Sequence, residues 1–167
     1  MNVRCAMPAD IQTLNEIALA AKAHWGYSAE QLRAWKADLT VSAEALAAKP
    51  VWVAEENGRP TGFVQVAMDT QPWELEALWV DPGHMGRGVG KALLAWARQQ
   101  ALAGGQSELA IDADPHAEAF YRACGARLVG TVPAPIAGSP ERVRPQLRLQ
   151  VKAEDGDGSP GFPPPRE

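Results

Sequence analysis

Three observations predict a mixed α/β domain, with helices packed on the faces of one sheet. Segments of alternating or continuous apolar residues take turns along the chain with segments of helical apolar spacing. Asn57-Gly58 joins two strand-like segments in the manner of a hairpin turn. A glycine-rich stretch, Gly86 to Gly90, stands between a strand-like segment and a helical one.

In order, Asn2–Ala6 reads as a short strand, and Pro8-Ala9-Asp10 as a helix start. Ile11, Leu14, Ile17, Ala18 and Ala21 carry the first helical stripe. Ser28, with Gln31 three residues on, resembles a capping box for a second helix bearing Leu32, Trp35 and Leu39. Val51–Ala54 and Gly62–Met68 are the hairpin strands, and Trp73–Val80 is a fourth strand. A helix carrying Leu93, Leu94, Ala97 and Ala101 follows the glycines and stops at Gly104-Gly105. Leu109–Ile111 is a buried strand, and Asp114-Pro115 starts a helix that turns Ala117, Phe120, Tyr121 and Cys124 inward. Ala126–Val132 and a strand holding Leu147, Leu149 and Val151 close the domain, with a loop carrying Pro133, Pro135, Pro140 and Pro145 between them.

At 167 residues the chain is sized for one domain with a real core, expected over residues 1–152. Residues 153–167 are expected to form a disordered Gly/Pro-rich acidic tail, since seven of the chain's Gly and Pro residues fall here beside one large apolar side chain, Phe162. Glu154, Asp155, Asp157 and Glu167 against Arg166 place most of the net charge of -4 in this tail. A pI near 5.4 excludes a basic nucleic-acid binder. The N-terminus lacks a signal-peptide pattern, and no apolar run is long enough to cross a bilayer. Cys5 and Cys124 are too few for a disulfide scaffold and fit a reducing compartment, so a cytoplasmic location with no membrane partner is expected. His24, His84, His116 and Cys124 match no zinc-ligand spacing, and no metal is expected.

The chemical signal lies in Met85-Gly86-Arg87-Gly88-Val89-Gly90-Lys91. Glycines there let a ligand approach the backbone, and free amides at a helix start point at an anion. The Walker pattern fails at Met85 and Ala92, and the dinucleotide fingerprint fails at Lys91. The loop therefore reads as a phosphate site of another kind.

Leu75–Val80 ending in Asp81-Pro82, followed by Gly86-Arg87-Gly88-Val89-Gly90-Lys91-Ala92-Leu93-Leu94, resembles the acetyl-CoA motif of the GNAT N-acetyltransferase superfamily. Ala117-Glu118-Ala119-Phe120-Tyr121-Arg122-Ala123-Cys124-Gly125-Ala126 resembles that family's penultimate helix and turn. The element order also matches, so the resemblance covers about residues 2–151. It implies a GNAT-like fold: a mostly antiparallel sheet with splayed fourth and fifth strands and flanking helices. It also implies acetyl transfer from acetyl-CoA to a primary amine of a small molecule or peptide, by direct attack in a ternary complex. The alternative is a non-catalytic acyl-CoA-binding or regulatory module on the same fold. Dimers are common in the family, so a homodimer fits the resemblance.

By the same resemblance Leu78, Trp79, Val80, Met85–Lys91, Asp114, Ala117 and Tyr121 line the cofactor, with an oxyanion-stabilising amide near Trp79 or Val80. The family loop usually opens with Gln or Arg where Met85 stands, leaving Arg87 or Lys91 to supply charge, and it often has Asn in place of Asp114. Tyr121 sits where the family commonly protonates the departing thiolate. Glu74 and Glu76, two apart on one strand, share a face, and either could take the amine proton. Asp114 before Pro115 also reads as a helix N-cap. Trp25 and Tyr27 are candidates for one acceptor wall, or simply core aromatics. The Val132–Arg144 loop would form the opposite wall. Arg142 and Arg144 on it read either as carboxylate holders or as a solvated charge run.

Overall fold

The computed structural model describes residues 1–151, and the expected tail at 153–167 lies outside them. Seven strands form one sheet: β1 (Asn2–Cys5), β2 (Val51–Glu56), β3 (Arg59–Ala67), β4 (Glu74–Val80), β5 (Glu108–Asp112), β6 (Arg127–Pro133) and β7 (Val143–Gln150). Their spatial order is β1-β2-β3-β4-β5-β7-β6, antiparallel throughout except for the β4–β5 pair. The helices are α1 (Ile11–His24), α2 (Ala29–Leu39), α3 (Ala43–Ala48), α4 (Val89–Ala103) and α5 (Glu118–Ala123).

β3 is covered on both faces, which is why Thr61 through Ala67 are all buried. Phe63 faces the side of α1 and packs with Leu14, Ile17, Ala18, Val51 and Val53. Val64 and Val66 face the side of α4 and α5, in a cluster with Leu93, Leu94, Leu109, Ile111 and Tyr121. The result is three layers, helix on sheet on helix.

Most predicted elements stand where the periodicity places them, and the Asn57-Gly58 turn has the two positive φ values (53° and 77°) that such a hairpin needs. α3 is the element the pattern misses. It is six residues long with only one large apolar side chain, Leu46, so it has no readable stripe. Its one local signal is Ser42, whose hydroxyl accepts the Ala45 amide. Pro133 and Pro145, expected in a loop, lie within β6 and β7. The last predicted helix is shorter than its apolar pattern, because residues Pro115–Ala117 form a 3-10 turn before α5 begins.

Two features of the sheet shape the site. β4 and β5 pair only at Glu74–Ala110 and Leu75–Ile111 and are unpaired beyond. The β3–β4 register explains the parting: Gln65 faces Ala77 while Val66 faces Leu75, so Glu76 is an extra residue. Such a bulge bends and twists the strand that carries it. The second feature is Gly62, opposite Val80, where a Cβ would lie 2.8 Å from the Trp79 carbonyl oxygen and 3.1 Å from Val89 and Leu93. Only glycine lets the start of α4 sit this closely over β3 and β4.

Candidate active site

The divergence of β4 from β5 leaves backbone groups without a ladder partner. Asp81 donates its amide to Thr61 on β3 (2.8 Å), one step beyond the last register pair, Gly62 and Val80. Antiparallel pairing alternates, so Trp79 also bonds to β3, while the amides of Leu78 and Val80 turn toward β5. β5 does not pair with them there. The expected amide donor near Trp79 or Val80 is therefore narrowed: Trp79 is committed to β3, and Leu78 and Val80 face the gap.

Beside this gap lies the glycine loop. Gly86 and Gly88 have φ of 78° and 82°, and a side chain at either would meet open space. Positive φ is what these positions require of glycine. Gly88 caps α4 and its carbonyl accepts the Ala92 amide (3.0 Å), the first bond of the helix. The amides of Arg87, Gly88, Val89, Gly90 and Lys91 meet no acceptor among the described residues. Five adjacent free donors at the start of a 15-residue helix form an anion cradle. Arg87 and Lys91 are exposed beside it, and Met85 is half-buried and brings no charge.

α5 closes the other side of the loop, with Phe120 3.3 Å from where a Gly90 Cβ would stand. Ala117 is half-buried at the N-cap of α5. Tyr121 is 6% exposed, and no described residue hydrogen-bonds its hydroxyl. Burial first, then the nearby Cys124 and Asp114, holds its phenol well above the ordinary value, so it keeps its proton.

Asp114 is engaged through its side chain within the protein. Its Oδ1 accepts the His116 amide at 2.8 Å and lies 2.9 Å from His116 Nδ1. Its Oδ2 accepts from Lys22 Nζ (2.5 Å), the Tyr27 hydroxyl (2.9 Å) and Arg142 Nη2 (3.4 Å). Both oxygens are occupied within the protein, and the N-cap reading holds. Burial pushes its carboxyl up, but Lys22 and the His116 amide outweigh that and hold it below its usual value. Lys22 is held below its own usual value, by burial against the pull of Asp114.

Four aromatic rings surround the Lys22 ammonium, which lies 4.4 Å from the Trp35 centroid, 5.1 Å from Tyr27, 5.8 Å from Trp79 and 5.9 Å from Trp25. Trp25 stacks on His116 and leans on Trp79, and Tyr27 meets Trp35 edge-on. Trp25 packs on His116, while Tyr27 and the loop that carries Arg142 stand as two facing walls. A cleft of about 550 Å³ opens between them, lined by Tyr27, Pro115, His116, Ile136, Pro140 and Arg142 among others.

The two strand carboxylates have different surroundings. Glu74 is half-buried; burial, then the charges of Glu76 and Asp112, holds its carboxyl above the usual value. Glu76 is exposed on the bulge and bonded to Lys49 (2.9 Å), in a separate small pocket under α2 and α3. The two carboxylates stand close enough that the charge of Glu76 is among the causes that raise Glu74. Among the described residues, no group of three His, Cys, Asp or Glu side chains could hold a metal ion.

Residues 12–126 match the model of the Acetyltransferase (GNAT) family. The chain belongs to the GNAT acetyltransferase family. It is 34% identical over 133 residues to the uncharacterized N-acetyltransferase YafP of Escherichia coli K12, an alignment covering 77% of this chain and 83% of that protein. A GCN5-related N-acetyltransferase from Rhodopseudomonas palustris shares the fold with a TM-score of 0.74 at 24% identity, over 89% of this chain and 94% of that one. The PaiA N-acetyltransferase of Thermoplasma acidophilum, solved with coenzyme A, gives a TM-score of 0.71 at 19% identity, over 90% and 99%. The splayed strands and mixed sheet expected of a GNAT domain are present, and no described helix is long and apolar enough to cross a membrane.

Within this GNAT domain, the residue that sequence reasoning missed is Lys22. Its signal was available: Leu14, Ala18 and Lys22 follow at four-residue spacing, so an ionisable side chain continues a buried stripe. Arg142 and Arg144 do not act alike. Arg142 is buried in the Asp114 cluster, whereas Arg144 pairs with Asp112 at 2.9 Å and 3.1 Å.

Proposed function

We propose that this chain is an N-acetyltransferase that moves an acetyl group from acetyl-CoA to a primary amine of a small molecule or peptide, by direct attack with both substrates bound. The observation that carries the reading is the pairing of two features in one place: free amides of the Arg87–Lys91 loop, and a β4–β5 gap into which Leu78 and Val80 turn unpaired amides. The loop suits a diphosphate and the gap suits an extended pantetheine arm. That the PaiA neighbour was solved with coenzyme A supports the same assignment. Acetyl-CoA supplies a thioester-activated acetyl group.

The residues of the chain then have separable tasks. The Leu78 and Val80 amides are the donors available to a carbonyl oxygen that gains negative charge. Glu74, half-buried and with its carboxyl raised, is the better placed of the two carboxylates to accept the amine proton, directly or through water. Glu76 is held by Lys49. Tyr121, kept neutral by burial, has a proton to give to the departing thiolate. In the balance of the transfer a C–N bond forms and a C–S bond breaks; the amine loses one proton and the sulfur gains one. The cluster around Lys22 and Asp114 builds the acceptor side. A cytoplasmic setting is part of the same reading, and the free thiols of Cys5 and Cys124 fit it.

Free thiol released from acetyl-CoA across amines, amino acids, polyamines and peptides tests this. Release that depends on the acceptor supports the enzyme. Acetyl-CoA binding with no release from any acceptor supports a binding module instead.

A further inference from the structure

Resting on the acetyltransferase reading, we propose that the acceptor carries a carboxylate as well as its amine, and that Arg142, which lines the Tyr27–His116 cleft, recognises it.

The side chains of Lys22 and Arg142 are 11% and 9% exposed, and the single carboxylate between them, Asp114, is 5% exposed. Two buried cations share one buried anion, so the cluster holds one positive charge in excess. His116 adds no anion, Asp112 is taken by Arg144, and Glu141 stands exposed at the rim of the cleft. A buried charge without a counter-charge is costly, and a protein that keeps one commonly has a use for it.

Hydrogen-bond accounting locates the excess. Arg142 Nη1 donates to the Ala134 carbonyl (3.0 Å), and Nη2 to the Tyr27 hydroxyl (3.2 Å) and Asp114. Its Nε is buried and has no acceptor. An orphaned buried donor is expensive, and guanidinium N–H groups match the planar carboxylate better than any other common ligand group. Arg142 also lines the cleft, which joins the two walls of the acceptor side and has room for a small amino acid. The guanidinium also lies over the Tyr27 and Trp35 rings, 5.5 Å and 5.3 Å from their centroids. The smaller pocket beside Glu76 has the opposite character, with Asp38 and Glu76 against Lys49.

The test compares L-amino acids with their C-terminal amides as acceptors, by thiol release from acetyl-CoA, with the thermal shift given by each acceptor as a second readout. The wild-type protein is expected to prefer the acids by about 30-fold or more in kcat/KM, the factor set by one buried charge pair. In Arg142→Gln that ratio should fall toward one, mostly through KM. Arg142→Lys should keep part of the preference. Tyr27→Phe, which removes one bond to Arg142, should reduce it by a smaller factor and serves if Arg142→Gln does not fold. Equal use of acids and amides by the wild-type protein, with acetyl-CoA still raising its melting temperature, overturns the carboxylate proposal alone. Failure of acetyl-CoA to protect the protein overturns both it and the acetyltransferase reading.

Discussion

Replacing Asp114 with asparagine removes the one anion from a buried cluster while keeping the side chain's shape. The carboxylate accepts five contacts, from the His116 amide, His116 Nδ1, Lys22, Tyr27 and Arg142, at 2.5 to 3.4 Å. In Asp114→Asn an NH₂ group must face either the Lys22 ammonium and Tyr27, or the His116 amide, and each orientation sets a donor against donors. Lys22 and Arg142 are then left as buried cations without a partner. Breaking a buried pair in this way costs about 3–5 kcal/mol. For a domain of this size that is a fall of about 6–20 °C in Tm. The sign of the pH dependence follows from the Asp114 carboxyl lying below its ordinary 3.8. Its stabilisation is complete above 3.8 and is lost as pH falls through the lowered folded value, so wild type and variant should converge only in acid. Urea or thermal unfolding at several pH values measures this. The double variant Lys22→Met/Asp114→Asn should be more stable than Asp114→Asn alone. A loss under about 1 kcal/mol at pH 7, the range of exposed pairs, would refute the claim that the cluster is buried and charge-coupled.

Tyr121→Phe should lower kcat for thiol release by about 100-fold, the low end for a positioned acid, while acetyl-CoA affinity changes little; unchanged kcat removes Tyr121 from the proposed role. Glu74→Gln should abolish the acid limb of the pH–rate profile, which in wild type lies above the ordinary 4.5 because Glu74 is raised. Glu76→Gln removes one of the charges that raise it, so that limb should move to lower pH with the rate largely kept; an unmoved limb assigns it to another group. Gly88→Ala forces a side chain into a φ of 82°, at a cost of about 1–2 kcal/mol, and should weaken acetyl-CoA binding measured by titration calorimetry more than it lowers Tm.

What could be read from the sequence was local. The Asn57-Gly58 turn, the Gly86–Gly90 loop and the stripes of α1 and α4 each depend on a few adjacent residues, and each stands as expected. The bulge at Glu76 left no such mark, because it is a mismatch of register between β3 and β4 that neither strand encodes alone. Its effect on the two carboxylates shows only in the fold, where Glu76 is exposed and paired with Lys49 while Glu74 is half-buried. The acceptor-side cluster draws Lys22, Tyr27, Asp114 and Arg142 from four separate segments. Only the fold brings them together, with Asp114 held on both oxygens. α3 was invisible because alanines fold into a helix without advertising a face.

If the Arg87–Lys91 cradle and the β4–β5 gap are built for acetyl-CoA, that ligand must stabilise the native protein against heat. At 100 times its dissociation constant a ligand that binds only the native state adds about 2.7 kcal/mol, or roughly 5–10 °C for a domain of this length. Acetyl-CoA should give such a rise while ATP and NAD do not. No rise at millimolar acetyl-CoA, or an equal rise with ATP, would contradict the account.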